Sequence, residues 1–167
     1  MPLLHLVLPD LQATQRFGAL LAYSLSAGDV IALGGGLGAG KSALARAVIQ
    51  AANPDEADIP SPTFTLVQTY QMKDGTPIWH MDLYRIESVR DARELGLDDA
   101  FFEAACLIEW PERLGDYLPK NNLSIRLNIL PEDDDVACPR LAKISFPPCW
   151  AERINLIIQE MSKTKFS

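Results

Sequence analysis

The residues of this chain that are best suited to chemistry form one glycine-rich segment in its first third. The segment reads Gly34-Gly35-Gly36-Leu37-Gly38-Ala39-Gly40-Lys41-Ser42. Its last eight residues match G-x-x-x-x-G-K-[ST], the pattern of a phosphate-binding loop, or P-loop. Glycines let successive backbone N–H groups turn inward around phosphate oxygens. Because Lys41 can place a positive charge on the β- and γ-phosphates and Ser42 a hydroxyl on Mg²⁺, the segment predicts a nucleoside-triphosphate site.

Two acidic residues are candidates to complete such a site, which needs a carboxylate at the end of a neighbouring strand. Glu109 ends the apolar run 104–108, and Asp82 ends the run 78–81. An unpaired charge behind a buried strand is costly, so both acids are interpreted as functional rather than as solvent-facing. Either one could hold the metal or position an attacking water, and the sequence leaves both assignments open.

Other polar residues near these acids have competing explanations. Thr63 and Thr65 stand where P-loop proteins carry a switch segment that reaches the γ-phosphate or Mg²⁺, although the entrance to a β-hairpin fits the same spacing equally well. Arg85, Arg90 and Arg93 are better explained by a solvated helix face than by an arginine finger.

The elements that must position these residues follow from hydrophobic spacing and from capping residues. A structural role is the better interpretation of His80, because it lies inside an apolar run. Helices are predicted at residues 11–26, 41–52, 88–103 with a break at Gly96, and 150–161. Strands are predicted at residues 1–9, 30–33, 65–71, 77–83, 106–108, 123–129 and 141–146.

The order of these elements predicts one α/β domain over residues 1–167, without an internal repeat, a linker or a break in composition. The early strand–loop–helix unit is typical of a parallel sheet, whereas the hairpins are antiparallel. The expected fold is therefore P-loop NTPase-like, with a mixed sheet that carries antiparallel additions and is flanked by helices.

The charge balance limits what the protein can bind unaided. It has 15 Lys and Arg against 22 Asp and Glu, a formal net charge of -7. A stand-alone nucleic-acid binder needs a basic face to neutralise phosphates, so this class is disfavoured. A local basic patch, or action on nucleic acid through a partner, stays open.

The cysteines and the apolar runs indicate a cytoplasmic location. Cys106, Cys138 and Cys149 form no C-x-x-C pair and are interpreted as reduced thiols. No apolar run approaches the roughly 18 residues of a membrane span, and the start of the chain lacks the features of a signal peptide. No membrane association is expected.

Among P-loop proteins, a GTPase is disfavoured because no N-K-x-D motif occurs in the chain. Three other functions fit the motif so far. A small-metabolite kinase is possible on grounds of size, with the arginines near Arg90 available to the acceptor side. A nucleotide-hydrolysing subunit and a module that uses nucleotide only as a structural ligand are the other two hypotheses.

Five motifs in a fixed order separate these hypotheses, and together they resemble the bacterial TsaE family over about residues 9–145. The motifs are Gly35–Ser42, 61–67 (SPTFTLV), 80–85 (HMDLYR), 94–97 (ELGL) and 107–111 (LIEWP). The resemblance implies a small P-loop α/β fold and an ATPase that acts in the biosynthesis of threonylcarbamoyladenosine (t6A) in tRNA. It also implies association with a TsaB–TsaD pair that carries out the transfer, so that tRNA contact would be indirect. The oligomeric state is left open.

The resemblance also assigns residues to roles. It implies ATP and Mg²⁺ as cofactors, with Lys41, Asp82 and Glu109 catalytic and with Ser42 and Glu109 on the metal. The residues expected around the nucleotide are Gly35, Gly36, Leu37, Gly38, Ala39, Gly40, Lys41, Ser42, Thr63, Thr65, Leu11, Thr14, Trp110 and Arg140.

Two positions depart from the family pattern. Gly36 stands where Asp is common, which removes a negative charge and adds flexibility to the loop. Ser42 stands where Thr is common, and the hydroxyl needed for a metal is retained. We therefore expect metal binding to survive with Ser42 at this position.

Overall fold

The computed structural model describes residues 1–131 and 138–163. The acidic tract 132–135, to which the sequence assigns no role, lies outside the described residues. Within them the strands are β1 Leu3–Leu8, β2 Val30–Gly35, β3 Val67–Gln71, β4 Pro77–Asp82, β5 Ala105–Glu109, β6 Leu123–Ile129 and β7 Arg140–Ser145. The α-helices are α1 Leu11–Ser24, α2 Lys41–Ala52, α3 Val89–Arg93, α4 Leu97–Glu103 and α5 Ala151–Ser162.

The strands form one sheet in the order β1-β7-β6-β2-β5-β4-β3. The central strands β6, β2, β5 and β4 run parallel to one another, while β1, β7 and β3 are attached by antiparallel pairing. This confirms the mixed α/β sheet with antiparallel additions that the sequence predicts. The centre of the sheet is parallel because β2 reaches its partner β5 only after helical crossovers.

Strands β2 and β5 are buried at every position, because helices cover both faces of the sheet there. Helices α1, α2 and α5 pack on one face. Helices α3 and α4 and the 3₁₀ segment Pro111–Tyr117 pack on the other face, over β2, β5 and β4. The carboxyl ends of β2, β4 and β5 consequently meet at one edge of the sheet, next to the amino end of α2.

Local signals explain most boundaries, and several of these lie one or two residues from the predicted positions. The Asp10 side chain accepts a hydrogen bond from the Ala13 N–H and so begins α1, as predicted. Helix α1 ends at Ser24 rather than at residue 26, and β3 begins at Val67 rather than at Thr65. Leu66 has a left-handed φ of 65° and accepts a hydrogen bond from the Asp82 N–H, which delays the start of regular pairing.

None of the helices in the described part of the chain is long and apolar enough to cross a membrane.

Helices α1 and α2 pack closely at Gly18. A Cβ built on Gly18 would lie 2.5 Å from the Ala47 Cβ, well inside contact distance. Because Gly18 has no side chain, the two helices can pack closely at this position.

We predict that Gly18→Ala destabilises the protein by about 1–3 kcal/mol, because the added methyl group forces α1 away from α2. An exposed helical glycine would show the opposite sign, a gain of up to about 1 kcal/mol from helix propensity. The control is Tyr23→Ala in the same helix, at an 81% exposed position, which should change stability by less than about 0.5 kcal/mol. Urea unfolding measures both variants, and a stabilised Gly18→Ala variant would contradict the close contact.

Candidate functional site

The glycine-rich loop connects β2 to α2, and its backbone conformation depends on glycine at defined positions. Gly35 has a left-handed φ of 132°, and a Cβ there would lie 2.5 Å from the Leu127 carbonyl oxygen of β6. Gly40 precedes α2 with a left-handed φ of 106°. Gly36 has open space around it and no left-handed φ, so its flexibility is not what shapes the loop. The loop therefore closes against the sheet at Gly35 and enters the helix at Gly40.

Lys41 is held inside this loop, and only 5% of its surface is exposed. Its Nζ donates hydrogen bonds to the carbonyl oxygens of Gly35 and Gly36, both at 2.7 Å, and lies 4.1 Å from the centre of the Trp110 ring. Burial lowers the pKa of Lys41, and the carboxylates of Glu109, Glu112 and Asp82 oppose that shift. The ammonium group is thus kept at the mouth of the loop by carbonyl dipoles and an aromatic face.

Glu109 joins the loop to the sheet. It ends β5, is 2% exposed, and its Oε1 accepts a 2.7 Å hydrogen bond from Ser42 Oγ. Its Oε2 lies 2.7 Å from Nε2 of His80 on the neighbouring strand β4. The two residues predicted to hold a metal, Ser42 and Glu109, are therefore in direct contact.

Asp82 lies beside Glu109, because the two residues are partners in the parallel register of β4 and β5. Its Oδ2 accepts a 3.2 Å hydrogen bond from Thr63 Oγ1, and its Oδ1 accepts one from the Tyr84 N–H at 3.0 Å. Ser61 Oγ lies 2.8 Å from Thr63 Oγ1 and extends this chain of polar groups. Asp82 is thus oriented by Thr63, which precedes β3, and by the backbone directly after β4.

These groups border one cleft of about 400 Å³. The predicted residues that line it are Leu37, Gly38, Ala39, Gly40, Lys41, Ser42, Thr63, Asp82, Glu109 and Trp110. Ala43, Arg46, Tyr84 and Arg85 line it as well. The cleft lies outside the carboxyl ends of parallel strands and at a helix amino terminus, where phosphate groups bind in open α/β sheets.

Six other predicted nucleotide neighbours are not part of the cleft wall. Gly35 and Gly36 belong to the glycine-rich loop itself, and the remaining four lie elsewhere. Leu11 lines a separate groove of about 410 Å³ between α1 and α2, which shares Ala43 and Arg46 with the cleft. Thr14 is buried in α1 with its hydroxyl 3.4 Å from the Asp10 carbonyl oxygen. These placements leave a role for Leu11 and Thr14 as a prediction.

Of the other two residues, Arg140 contacts the glycine-rich loop, whereas Thr65 contacts a neighbouring side chain. Thr65 Oγ1 accepts a hydrogen bond from the Gln68 side chain at 3.0 Å. Arg140 Nε donates to the Ala39 carbonyl at 2.8 Å, and its Nη2 donates to the Gly38 carbonyl at 3.2 Å. Arg140 therefore supports the loop backbone from outside the cleft. Nucleotide contact by Thr65 or Arg140 stays a prediction.

The contact of His80 with Glu109 is a feature that the sequence does not predict. His80 is structural in the sense that it is buried with a partner, but that partner is a proposed site residue. Alternate residues of a strand share one face of the sheet, so the spacing of His80 and Asp82 already places both side chains toward α2. Tyr84 also lines the cleft, and no distinctive spacing in the sequence indicates it.

A glycine loop between a buried strand and a helix, with two carboxylates at neighbouring strand ends, defines a P-loop nucleotide-binding protein. The family model of TsaE, described as threonylcarbamoyl adenosine biosynthesis protein TsaE, matches residues 8–135. The chain belongs to this family, the ATPase component of tRNA t6A biosynthesis, and the resemblance drawn from the motifs is confirmed.

Relatives across distant bacteria agree with this assignment. The chain is 38% identical to the tRNA threonylcarbamoyladenosine biosynthesis protein TsaE of Rickettsia felis over 77% of this chain and 74% of that protein. It is 35% identical to the protein of that name from Mycobacterium bovis over 76% of this chain and 80% of the relative. The crystal structure of Bacillus subtilis YdiB superimposes with a TM-score of 0.70 at 26% identity, covering 98% of this chain and 97% of YdiB.

We predict that Gly35→Ala greatly weakens nucleotide binding, because a Cβ at this left-handed position would lie 2.5 Å from the Leu127 carbonyl oxygen and displace the loop. Gly36→Ala is the matched control in the adjacent position, where a Cβ meets nothing within 4 Å. Titration with a fluorescent ATP analogue should show at least a tenfold loss of affinity for the first variant, about 1.4 kcal/mol. Equal affinities in the two variants would contradict the role of Gly35.

Proposed function

We propose that this protein is a Mg²⁺-dependent ATPase that acts with TsaB–TsaD-like partners in tRNA t6A modification. The observation that carries the proposal is the set formed by Lys41, Ser42, Asp82 and Glu109 around one cleft at the amino end of α2. Family membership supplies the t6A pathway, and the side chains supply the chemistry.

Phosphate binding follows from the loop and its lysine. The N–H groups of residues 38–42 and the amino end of α2 offer partial positive charge to phosphate oxygens. Lys41 is held at the loop mouth by two carbonyl oxygens, and a phosphate oxygen is a stronger acceptor because it is charged. Lys41 would exchange a carbonyl contact for the β- or γ-phosphate without leaving the loop.

The residues fit a magnesium ion. Mg²⁺ prefers oxygen ligands, and the Ser42 hydroxyl and the Glu109 carboxylate lie side by side at the end of β5. Ser42 Oγ donates a hydrogen bond to Glu109 and keeps its lone pairs for a metal. When bound, the ion would neutralise charge on the β- and γ-phosphates.

Asp82 is the residue proposed to position the attacking water. It faces the cleft and is held by Thr63 and by the Tyr84 N–H, so its carboxylate has a fixed orientation. Glu109, whose oxygens are engaged by Ser42 and His80, is less free to accept a proton from water. We therefore assign metal binding to Glu109 and the positioning of the attacking water to Asp82.

The rim of the cleft supports contact with a partner protein. Phe64 is 80% exposed and carries the Arg85 guanidinium 4.6 Å from its ring centre, and Leu37 in the phosphate loop is exposed as well. Exposed aromatic and arginine side chains are enriched at protein interfaces. A partner bound on this rim would cover the nucleotide, whereas the net charge of -7 argues that the partners hold the tRNA.

We predict that Asp82→Asn lowers ATP turnover by about 100-fold or more while ATP affinity changes little, because an amide cannot accept the proton of the water. Asp99→Asn, an exposed acid at the start of α4, should leave turnover unchanged. Phosphate release and binding of a fluorescent ATP analogue measure the two properties separately. Full turnover in Asp82→Asn would transfer the water-positioning role to another residue.

Turnover with and without the partners tests the proposed function as a whole. We expect slow ATP hydrolysis by the isolated protein, faster hydrolysis with TsaB–TsaD-like proteins and tRNA, and loss of ATP binding in Lys41→Ala. Transfer of the γ-phosphate from labelled ATP to a small acceptor would instead support the kinase. Full modification activity in Lys41→Ala would overturn the proposal.

A further inference from the structure

His80 is a buried histidine next to the site, and it has no direct role in the proposed ATP hydrolysis. Its side chain is fully removed from solvent, and its Nε2 lies 2.7 Å from Glu109 Oε2. Its Nδ1 has no hydrogen-bond partner among the residues that the structure describes. The ring therefore directs its one hydrogen bond to Glu109, which a core histidine chosen for packing alone would not require.

The direction of this hydrogen bond follows from the two groups. An ionised carboxylate can only accept, so the Nε2–H group donates the hydrogen bond to Glu109. The hydrogen bond between the two side chains therefore requires a proton on Nε2.

The two oxygens of Glu109 are tied to different elements. Oε1 accepts from Ser42 at the start of α2, and Oε2 accepts from His80 in the middle of β4. Rotation of the carboxylate would break both hydrogen bonds. Ser42 faces the cleft and is proposed to bind the metal, whereas His80 is buried behind the sheet edge and does not line the cleft. We therefore expect the hydrogen bond between His80 and Glu109 to remain in place when nucleotide binds.

We propose that His80 is a positioning residue that fixes the Glu109 carboxylate for the magnesium of Mg–ATP. The inference rests on the proposed function, since it takes Ser42 and Glu109 as the metal-binding pair. A hydrogen-bonding partner behind a metal ligand typically contributes about 10- to 100-fold to metal affinity. Loss of the His80 donor should therefore raise the Mg²⁺ requirement and leave metal-independent contacts to the nucleotide unchanged.

The experiment compares three variants of the full-length protein. His80→Phe keeps the ring volume and removes the donor, while His80→Gln places an amide N–H near the original Nε2. Met81→Leu is the control for a substitution in the same buried strand, because Met81 is fully buried and packs on the opposite face, away from Glu109. Binding of a fluorescent ATP analogue is titrated with Mg²⁺ from an EDTA-treated start, and Tm is recorded for each protein.

We expect the Mg²⁺ concentration at half-maximal binding to rise about 10- to 100-fold in His80→Phe and to return to within a few-fold of wild type in His80→Gln. Binding of the analogue in EDTA should be the same in all four proteins. An unchanged Mg²⁺ midpoint in a folded His80→Phe protein, with only Tm lowered, would overturn the inference and leave the proposed function intact. If that variant does not fold, His80→Asn replaces it, because its shorter amide cannot reach Glu109. A Mg²⁺ midpoint in His80→Asn equal to that in His80→Gln would then overturn the inference in the same way.

A wild-type protein whose ATP hydrolysis does not depend on Mg²⁺ would remove the proposed function and this inference together.

Discussion

The Glu109 carboxylate is almost completely withdrawn from water, and the arrangement of the site follows from that constraint. A buried carboxylate must receive hydrogen bonds or a cation, because its desolvation is otherwise too costly. Here it receives a hydroxyl from α2 and an imidazole from β4, each at 2.7 Å. These two hydrogen bonds to the Glu109 carboxylate therefore fix the position of the first turn of α2 relative to strands β4 and β5.

The parallel register of the strands brings the neighbouring site residues level with Glu109. Glu109 is paired with Asp82 on one side and with Leu33 on the other, so the phosphate loop that follows β2 begins level with both acids. Lys41 then enters a space whose walls are carboxylates, two carbonyl oxygens and the Trp110 ring. Trp110 itself takes a left-handed φ of 58°, a conformation that turns the chain away directly after Glu109 and lays the indole over the lysine. The backbone strain at this residue is coupled to the electrostatics of the site.

The sequence predicts most of this fold because the signals are local. Asp10 caps a helix, the Asp-Gly pair makes a hairpin, and the apolar runs before Gly34 and Glu109 are too uniform for edge strands. The side-chain contacts are harder to predict from the sequence, because they depend on the register between strands. The hydrogen bond from Ser42 spans 67 residues of sequence and that from His80 spans 29, and spacing within one strand does not give the neighbour on the next. Residues such as Leu11 and Arg140 are indicated only by resemblance to the family, and the structure places them beside the cleft rather than in its wall.

The contact between Arg140 and the loop has a consequence for the order in which the protein is made. The guanidinium group supports the carbonyl oxygens of Ala39 and Gly38 from 101 and 102 residues further along the chain, and Gly35 closes against Leu127 of β6. A growing polypeptide therefore carries the complete glycine motif long before it carries the strands that brace it. During synthesis the glycine motif therefore precedes its supports, and Arg140 can contact the loop only after β7 has been made.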